Sequence, residues 1–415
     1  MIERTSCPNG VTIVHEKMPY VRSLALGIWV GAGSADEEEF EAGIAHFIEH
    51  MLFKGTSTKS ARAIAEEFDR IGGDVNAFTS KEMTCFYTTV LGNHAPRALT
   101  VLSDMFFNST FEEAEIDKEK SIVLDEIAAV EDTPDDDVDE RLWATMYPDQ
   151  PIGRPVLGNK KTIKKFNKKM ILEFMERMYT PERIVISIAG NYDDRLIRLI
   201  EVHFGSFRRG KQLEQTISLQ LPEFQGGLTV KGKDIEQAHF CLGFSALRVQ
   251  DKRIHDLLIL DSVIGGAMSS RLFQEVREER GLAYSIYSYY SAYKNAGAFM
   301  IYGGTAPENL KELADTIDTV IHSVQKDGIT ENELHNAKEQ LKCGFLLGLE
   351  SSESRMHRNG KSELLFQEHK TADEVITLID NVEADQVRAM ASELFTERRT
   401  ISIIAPEDVL KGFEI

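Results

Sequence analysis

Apolar residues recur along the chain in two rhythms, and the alternation between them predicts most of its elements. Val11–Val14 and Ser23–Val30 alternate or run apolar in the manner of strands, with a turn near Pro19 between them. A loop rich in Gly and acidic residues follows over 31–39. From Ile44 to Phe53, and again from Ala61 to Ile71, the apolar spacing becomes helical, and Gly72-Gly73 predicts the stop of the second helix. Asp74–Thr79 and Thr84–Leu91 read as strands around a Ser-Lys-Glu turn. Helices are predicted over 96–108 and 112–131 and, past the Thr133-Pro134 break, as far as Tyr147. Strand-like Ile184–Ala189 and a helix over Asp194–Phe204 close the first half.

Residues 208–227 are polar, lack a clear period and contain Gly210, Pro222 and Gly226-Gly227, which predicts an inter-domain linker. The expected domains are 1–210 and 228–415, joined by 211–227. Beyond the linker the pattern restarts with strand-like Ala238–Gly243 and helical Leu257–Ile264. The restart has the character of an internal repeat. Ala63–Gly73 leads into strands that end at Gly92-Asn93-His94-Ala95-Pro96, and Arg271–Gly281 leads into strands that end at Gly304-Thr305-Ala306-Pro307. Helix, Gly stop, two strands and a further helix recur in one order. The counterpart of the 44–53 helix, Leu257–Gly266, carries no His or Glu pair. Two similar α+β domains are therefore expected, with chemistry concentrated in the first.

Composition narrows the class. With 42% apolar and 27% charged residues, the 415-residue chain is of the ordinary globular kind. It contains no run of eighteen apolar residues that could span a bilayer. A net charge of 47 − 67 = −20 argues against nucleic acid, which requires a basic footprint. The basic run Lys160–Lys169 has Ile163 and Phe166 inside it and reads as a solvated helix face. Cys7, Cys85, Cys241 and Cys343 are too far apart for a disulfide framework or a zinc knuckle, and are expected to be small buried hydrophobes. The first seven residues lack the apolar core of a secretory signal, so a reducing cytoplasm is the expected compartment.

The helix over 44–53 carries His46, Glu49 and His50. Residues four apart share a helix face one turn apart, so the two imidazoles can meet one cation. Glu49 points to the same neighbourhood but is offset, suited to a metal-bound water rather than to the metal. Catalytic zinc keeps three protein ligands and one open position. It lowers the pKa of its water towards roughly 7, and a carboxylate can take the proton. H-x-x-E-H is the inverted form of the zincin helix motif. Ile44, Phe47, Ile48, Leu52 and Phe53 keep this helix partly buried, where two His and a Glu need partners. A third ligand is required, and the acidic helix over 112–131 is expected to supply it. From the residues alone, Glu119, Asp125 and Glu126 remain open, as ligands or as solvated carboxylates.

His46–His50 followed by Met51-Leu52-Phe53-Lys54-Gly55-Thr56 resembles the peptidase family of pitrilysin, insulin-degrading enzyme and the mitochondrial processing peptidase. The resemblance implies a third ligand at Glu126, 126 − 50 = 76 residues past the second His, in the run Glu115-Ile116-Asp117-Lys118-Glu119-Lys120-Ser121-Ile122-Val123-Leu124-Asp125-Glu126-Ile127. Glu119, within about 20° of Glu126 around the helix, is implied as a carboxylate that orients a ligand. The stretch Arg277-Glu278-Glu279-Arg280-Gly281-Leu282-Ala283-Tyr284 is similar to the segment by which family members meet the substrate. It implies that Tyr284 donates to the developing oxyanion and Arg277 binds substrate carbonyls. Asn76-Ala77-Phe78-Thr79, with Asn76, Ala77 and Phe78 as the substrate-binding candidates, matches the edge strand to which a peptide adds by main-chain hydrogen bonds. Phe53 would line the pocket after the scissile bond. Asp136 and Glu140 match acidic residues that read an Arg before the cleavage site in the processing-peptidase branch.

The resemblance covers nearly the whole chain and implies an α+β fold of two homologous domains, each a mostly antiparallel sheet packed with helices. It further implies one Zn2+ per chain, hydrolysis of peptide bonds in extended peptides or unfolded segments, and a homodimeric chamber. In that dimer Arg277 and Tyr284 of one subunit complete the zinc site of the other. Two alternatives stand beside it: a catalytically inactive peptide-binding or structural member, and a zinc hydrolase of non-peptide amides. Inactive members lose part of the metal motif, and this chain retains all of it.

Overall fold

Runs rich in β-branched and aromatic residues pair into two sheets. The protein is represented by a computed structural model that describes residues 2–208, 221–396 and 398–411. The first sheet contains β1 (Ile2–Ser6), β2 (Thr12–Lys17), β3 (Ser23–Val30), β4 (Asp74–Thr79), β5 (Thr84–Leu91) and β6 (Ile184–Gly190), in the order β1-β2-β6-β3-β5-β4. The second contains β7 (Gly227–Gly232), β8 (Ala238–Ser245), β9 (Ala283–Ala292), β10 (Gly297–Thr305) and β11 (Thr400–Ala405), in the order β7-β11-β8-β10-β9. Each sheet is antiparallel except at one pair, β2/β6 and β7/β11 respectively. From β2 and β7 onward the two orders correspond, so the repeat seen in the sequence is a repeat of topology.

The helices are α1 (Ile44–Leu52), α2 (Ala61–Ile71), α3 (Ala95–Asn108), α4 (Glu113–Asp132), α5 (Pro134–Met146), α6 (Lys160–Ile163), α7 (Lys168–Met178), α8 (Asp194–Phe204), α9 (Ile254–Ile264), α10 (Leu310–Asp327), α11 (Glu331–Gly348), α12 (Ser352–Phe366), α13 (Ala372–Asp380) and α14 (Ala384–Leu394). Two compact units result. One contains the described residues up to 128, 154–208 and 347–369; the other contains 129–153, 221–346 and 370–411. The expected domains, 1–210 and 228–415, each hold one whole sheet, and the units differ from them by an exchange of segments. Of the expected linker, 211–220 lies outside the described residues, and 221–226 is neither helix nor strand.

The exchange has a packing reason. In the first unit, Leu26, Ile28 and Phe86 join α1, α3 and α7 in one core through Phe47, Phe106 and Phe174. The opposite face of that sheet is covered by α12, which belongs to the second half of the sequence. Gly27 on β3 and Gly360 on α12 permit the approach. A Cβ at Gly27 would lie 2.5 Å from Met356 Sδ, and one at Gly360 would lie 2.3 Å from Trp29 Nε1. Ser187 Oγ donates to the Met356 carbonyl at 2.7 Å, and buried Glu16 accepts from Arg355 and from Asn359 Nδ2. In the second unit α5, from the first half, covers the sheet in the same way. There Gly243 on β8 leaves room for Met146 and Leu142, and Lys231 Nζ meets Asp137 Oδ2 at 2.5 Å.

Several local expectations need correction. Lys160–Lys169 is not one helix face. It spans α6 and the start of α7, and the side chains of Asn159 and Asn167 cap both helices by accepting their free N–H groups. Cys7, Cys85 and Cys241 are buried, but Cys343 is exposed on α11. Strands β1, β7 and β11 add to those expected; β1 and β7 are edges without a buried residue, and β1 lacks a clean alternation. Among the described residues no helix is long and apolar enough to cross a membrane.

Gly360→Ala tests the helix–sheet approach. In an exposed helix interior Ala stabilises by about 1 kcal/mol relative to Gly. Against Trp29 the added methyl is expected instead to destabilise by about 1–3 kcal/mol. A lower midpoint of urea unfolding is the expected readout; an unchanged or higher midpoint contradicts the packing.

Candidate metal centre

Helix α1 is fixed at its start before it carries any chemistry. Gly43 at its N-cap has φ 94°, and a Cβ there would lie 2.6 Å from the Leu157 carbonyl oxygen. The buried carboxylate of Glu37 accepts from Gly43 N at 2.7 Å and Ala45 N at 2.8 Å, satisfying N–H groups that the first turn leaves free. Burial pushes the Glu37 carboxyl up to about 8, against the pull of those donors. Ile44, Phe47, Ile48, Met51 and Leu52 then bury one face. His46, Glu49 and His50 occupy the half-buried remainder. On α4, Ile116, Val123 and Ile127 face the core, with Glu119 buried beside them.

These two helices bring three donor atoms together. His46, His50 and Glu126 are the group of His, Cys, Asp or Glu residues, among those described, whose ligand atoms all lie within 4.8 Å of one another. His46 Nε2 and His50 Nε2 are 3.2 Å apart. Glu126 Oε2 is 3.8 Å from the first and 3.6 Å from the second. Ligands held tetrahedrally at about 2.0–2.1 Å from zinc lie about 3.3 Å from each other, so the triangle fits such a cation with small adjustments. Asp125, left open by the sequence, is exposed on α4 and outside the group.

Proton placement supports the same fit. Glu119 Oε1 is 2.7 Å from His50 Nδ1. A carboxylate only accepts, so His50 Nδ1–H donates and, in the neutral ring, Nε2 presents a lone pair. Burial, and then the neighbouring His50, lower the pKa of His46 to about 4, which keeps that ring neutral at neutral pH. Burial works against a charged His50, yet its hydrogen bond to Glu119 and the carboxylates of Glu126 and Glu49 raise its pKa overall. Glu119 is 2% exposed, and its second oxygen meets Lys54 Nζ at 2.7 Å. Burial would raise this carboxyl, but the hydrogen bonds from His50 and Lys54 hold it below the usual range.

Glu49 stands beside the donors without joining them. Thr79 Oγ1 on β4 donates to Glu49 Oε2 at 2.6 Å. Burial raises the Glu49 pKa despite this bond. Phe53 caps the C-terminus of α1 and packs against the core of the first unit. Asn76, Ala77 and Phe78 lie on β4, which pairs with β5 alone among the described strands and is therefore an edge. Val75 and Ala77 pack against the core, while Phe78 turns to the other face and meets Trp29, Tyr87 and His357.

The remaining expected site residues belong to the second unit. Arg277 lies in a π-helical segment, Phe273–Glu279, between the rings of Phe273 and Tyr284, with its Cζ 4.7 and 4.2 Å from their centroids. Its Nη1 donates to the Tyr284 carbonyl at 3.0 Å, and Tyr284 is 76% exposed. Asp136 and Glu140 lie one turn apart on α5, Asp136 exposed and Glu140 half-buried. Three contacts were not legible in the sequence: Glu37 on the start of α1, Lys54 on Glu119 and Thr79 on Glu49. Each joins residues by folding alone, at separations no motif records.

The donor set and its neighbouring carboxylate define a class, an α+β chain of two similar units with, among the described residues, one donor group that could hold a zinc-type cation. Residues 12–160 match Insulinase (Peptidase family M16), and residues 165–341 match the Peptidase M16 inactive domain. The chain is 51% identical over 407 residues to the uncharacterized zinc protease YmxG of Bacillus subtilis, covering 98% of each. It is 39% identical over 406 residues to an uncharacterized zinc protease of Mycobacterium tuberculosis, covering 97% of this chain and 93% of that one. A solved protease from Helicobacter pylori matches with a TM-score of 0.92 at 22% identity, covering 98% of this chain and 100% of its own. A structure described as a peptidase M16 inactive domain from Pseudomonas fluorescens matches at 0.88 and 20%, covering 98% of each. At such identities these two speak for the fold. This chain belongs to peptidase family M16.

His50→Ala and Glu126→Ala are each expected to lower zinc affinity by more than about 100-fold, beyond the loss typical of outer-shell partners. Asp125→Asn is expected to leave it unchanged. Competition against a chromophoric chelator reads all three; a loss at Asp125 equal to that at Glu126 would exchange their roles.

Proposed function

We propose that the protein is a zinc-dependent endopeptidase acting on extended peptides or unfolded protein segments. One observation carries this reading: Glu49, half-buried and anchored by Thr79, sits in the same helix as two ligands of a complete His46–His50–Glu126 donor set. The family membership and the names of the relatives support zinc and proteolysis. An inactive, structural role is less well supported, since nothing in the donor set is missing.

Bound zinc would supply Lewis acidity to the scissile carbonyl and make a water more acidic. The chain's own groups do the rest. Glu49 Oε2 is held by Thr79, which leaves Oε1 to take a proton from the attacking water. The water oxygen bonds to the carbonyl carbon, the C–N bond breaks, and the same carboxyl returns a proton to the leaving amine. The peptide lies along β4 near Asn76, Ala77 and Phe78, paired by main-chain hydrogen bonds that tolerate many sequences. Phe53 borders the residue after the cut, and Asp136 and Glu140 favour an Arg before it. The Tyr284 hydroxyl donates to the developing oxyanion and Arg277 to a substrate carbonyl. Each chain carries one donor set and one Arg277–Tyr284 pair, in different units. We place the pair of one subunit at the metal of its partner, in a homodimeric chamber.

Glu49→Gln is expected to keep its zinc and lose turnover by about 10²–10⁴-fold. Peptide-library cleavage with and without chelator measures it, and a wild-type rate in this variant removes Glu49 as the base. For the dimer, a His50→Ala chain mixed with a Tyr284→Phe chain is expected to regain activity. Heterodimers that form and stay inactive would refute sites shared between subunits.

A further inference from the structure

Thr79 ends the stretch Asn76-Ala77-Phe78-Thr79 matched to a peptide-pairing edge strand, and its side chain reaches the candidate base. It is the last residue of β4, the edge strand. Its hydroxyl donates to Glu49 Oε2 at 2.6 Å, a short bond of the charge-assisted kind. Alternate residues of a strand share a face, so Thr79 stands on the side of Val75 and Ala77, which pack toward the core that contains α1.

The backbone on either side of Thr79 has little freedom. Thr79 pairs with Thr84, whose own hydroxyl is buried and donates to the Ala32 carbonyl at 3.0 Å. Ser80 N donates to the Met83 carbonyl at 2.8 Å, and the Ser80 carbonyl accepts from Ser34 N at 3.1 Å. A Cβ at Gly33 would lie 2.2 Å from that same carbonyl oxygen, so the loop before α1 closes directly onto the turn after β4. Strand end, loop and helix are thereby locked around one hydroxyl.

We propose that Thr79 is a positioning residue that sets the distance between the general base and a peptide laid along β4. The inference rests on the peptidase reading above. A carboxylate on a helix and a peptide on a sheet edge are separate bodies, and small errors between them are costly, since a misplacement of about 1 Å can lose on the order of 10²-fold in rate. Thr79 makes the strand that pairs with the peptide the same strand that fixes the base. It also selects the carboxylate rotamer by occupying Oε2, so that Oε1 faces the attacking water.

The test compares Thr79→Val, which keeps the shape and removes the donor, with Thr79→Ser, which keeps the donor and loses a methyl. Both are loaded with zinc and assayed on a peptide cleaved by the wild type, with zinc affinity measured separately by chelator competition. For Thr79→Val we expect kcat to fall about 10–100-fold, KM and zinc affinity to stay within about twofold of wild type, and Thr79→Ser to recover most of kcat. The inference is overturned by an unchanged kcat in Thr79→Val. It is equally overturned if zinc affinity or KM shifts as much as kcat does, or if Thr79→Ser is as slow as Thr79→Val, because a strand that merely packs badly would do that. Should Thr79→Val fail to fold, full kcat in Thr79→Ser upholds the donor role and a Val-like loss in folded Thr79→Ser refutes it. A wild-type chain that binds zinc and cleaves no peptide overturns the peptidase reading and this inference together; an active wild type beside an unaffected Thr79→Val overturns this inference alone.

Discussion

The first unit is organised around two imidazole nitrogens, His46 Nε2 and His50 Nε2, held 3.2 Å apart. Because Glu119 accepts from His50 Nδ1–H, the neutral ring turns the lone pair of its Nε2 to its neighbour. Two lone pairs at this distance repel unless a proton or a cation lies between them. Burial keeps His46 neutral, and a proton on its Nε2 can bridge the pair while its buried Nδ1 stays without a partner. A divalent cation with Glu126 as its third donor would fit between the same two nitrogens, and the rest of the site keeps that geometry in place.

Charge explains the surroundings. Glu49, Glu119 and Glu126 converge on one small region, and three carboxylates cannot share a half-buried site without compensation. Lys54 takes one oxygen of Glu119, Thr79 takes one of Glu49, and a cation would answer Glu126. The three are thus distinguished by partner rather than by residue type: Glu119 meets His50 and Lys54, Glu49 meets Thr79, and Glu126 faces the two imidazoles. Glu37 contributes at a distance, since its carboxyl group holds the first turn of α1, the helix that carries His46 and His50.

Duplication explains the scaffold. Two sheets with corresponding strand order each need cover on a second face, and each receives it from the other half of the sequence. A glycine on a central strand against a methionine on a helix recurs in both, Gly27 with Met356 and Gly243 with Met146. The second unit repeats the architecture, and among the described residues the metal-type donor group lies in the first unit alone. Its π-helical turn presents Arg277 stacked on an exposed Tyr284.

The sequence by itself determined what depends on local periodicity. Strands β4 and β5 fall on the residues their alternation marks, α1 places two His four residues apart, and the repeat announces two α+β units. Resemblance of a motif separated Glu126 from Asp125 before any coordinates did. Tertiary structure decided what depends on contacts distant along the chain. The exchange of α5 and α12 is one case, because an amphipathic helix records that it has an apolar face and not which sheet will receive it. The partners of Glu49, Glu119 and α1 are another. Thr79, Lys54 and Glu37 are ordinary polar residues in the sequence, and only the fold brings their atoms within hydrogen-bonding range of the groups they hold. Chemistry in this protein is legible where one helix carries it, and hidden where it is shared between a helix, a strand and a loop, because a sequence encodes spacing along the backbone while a hydrogen bond requires proximity in space.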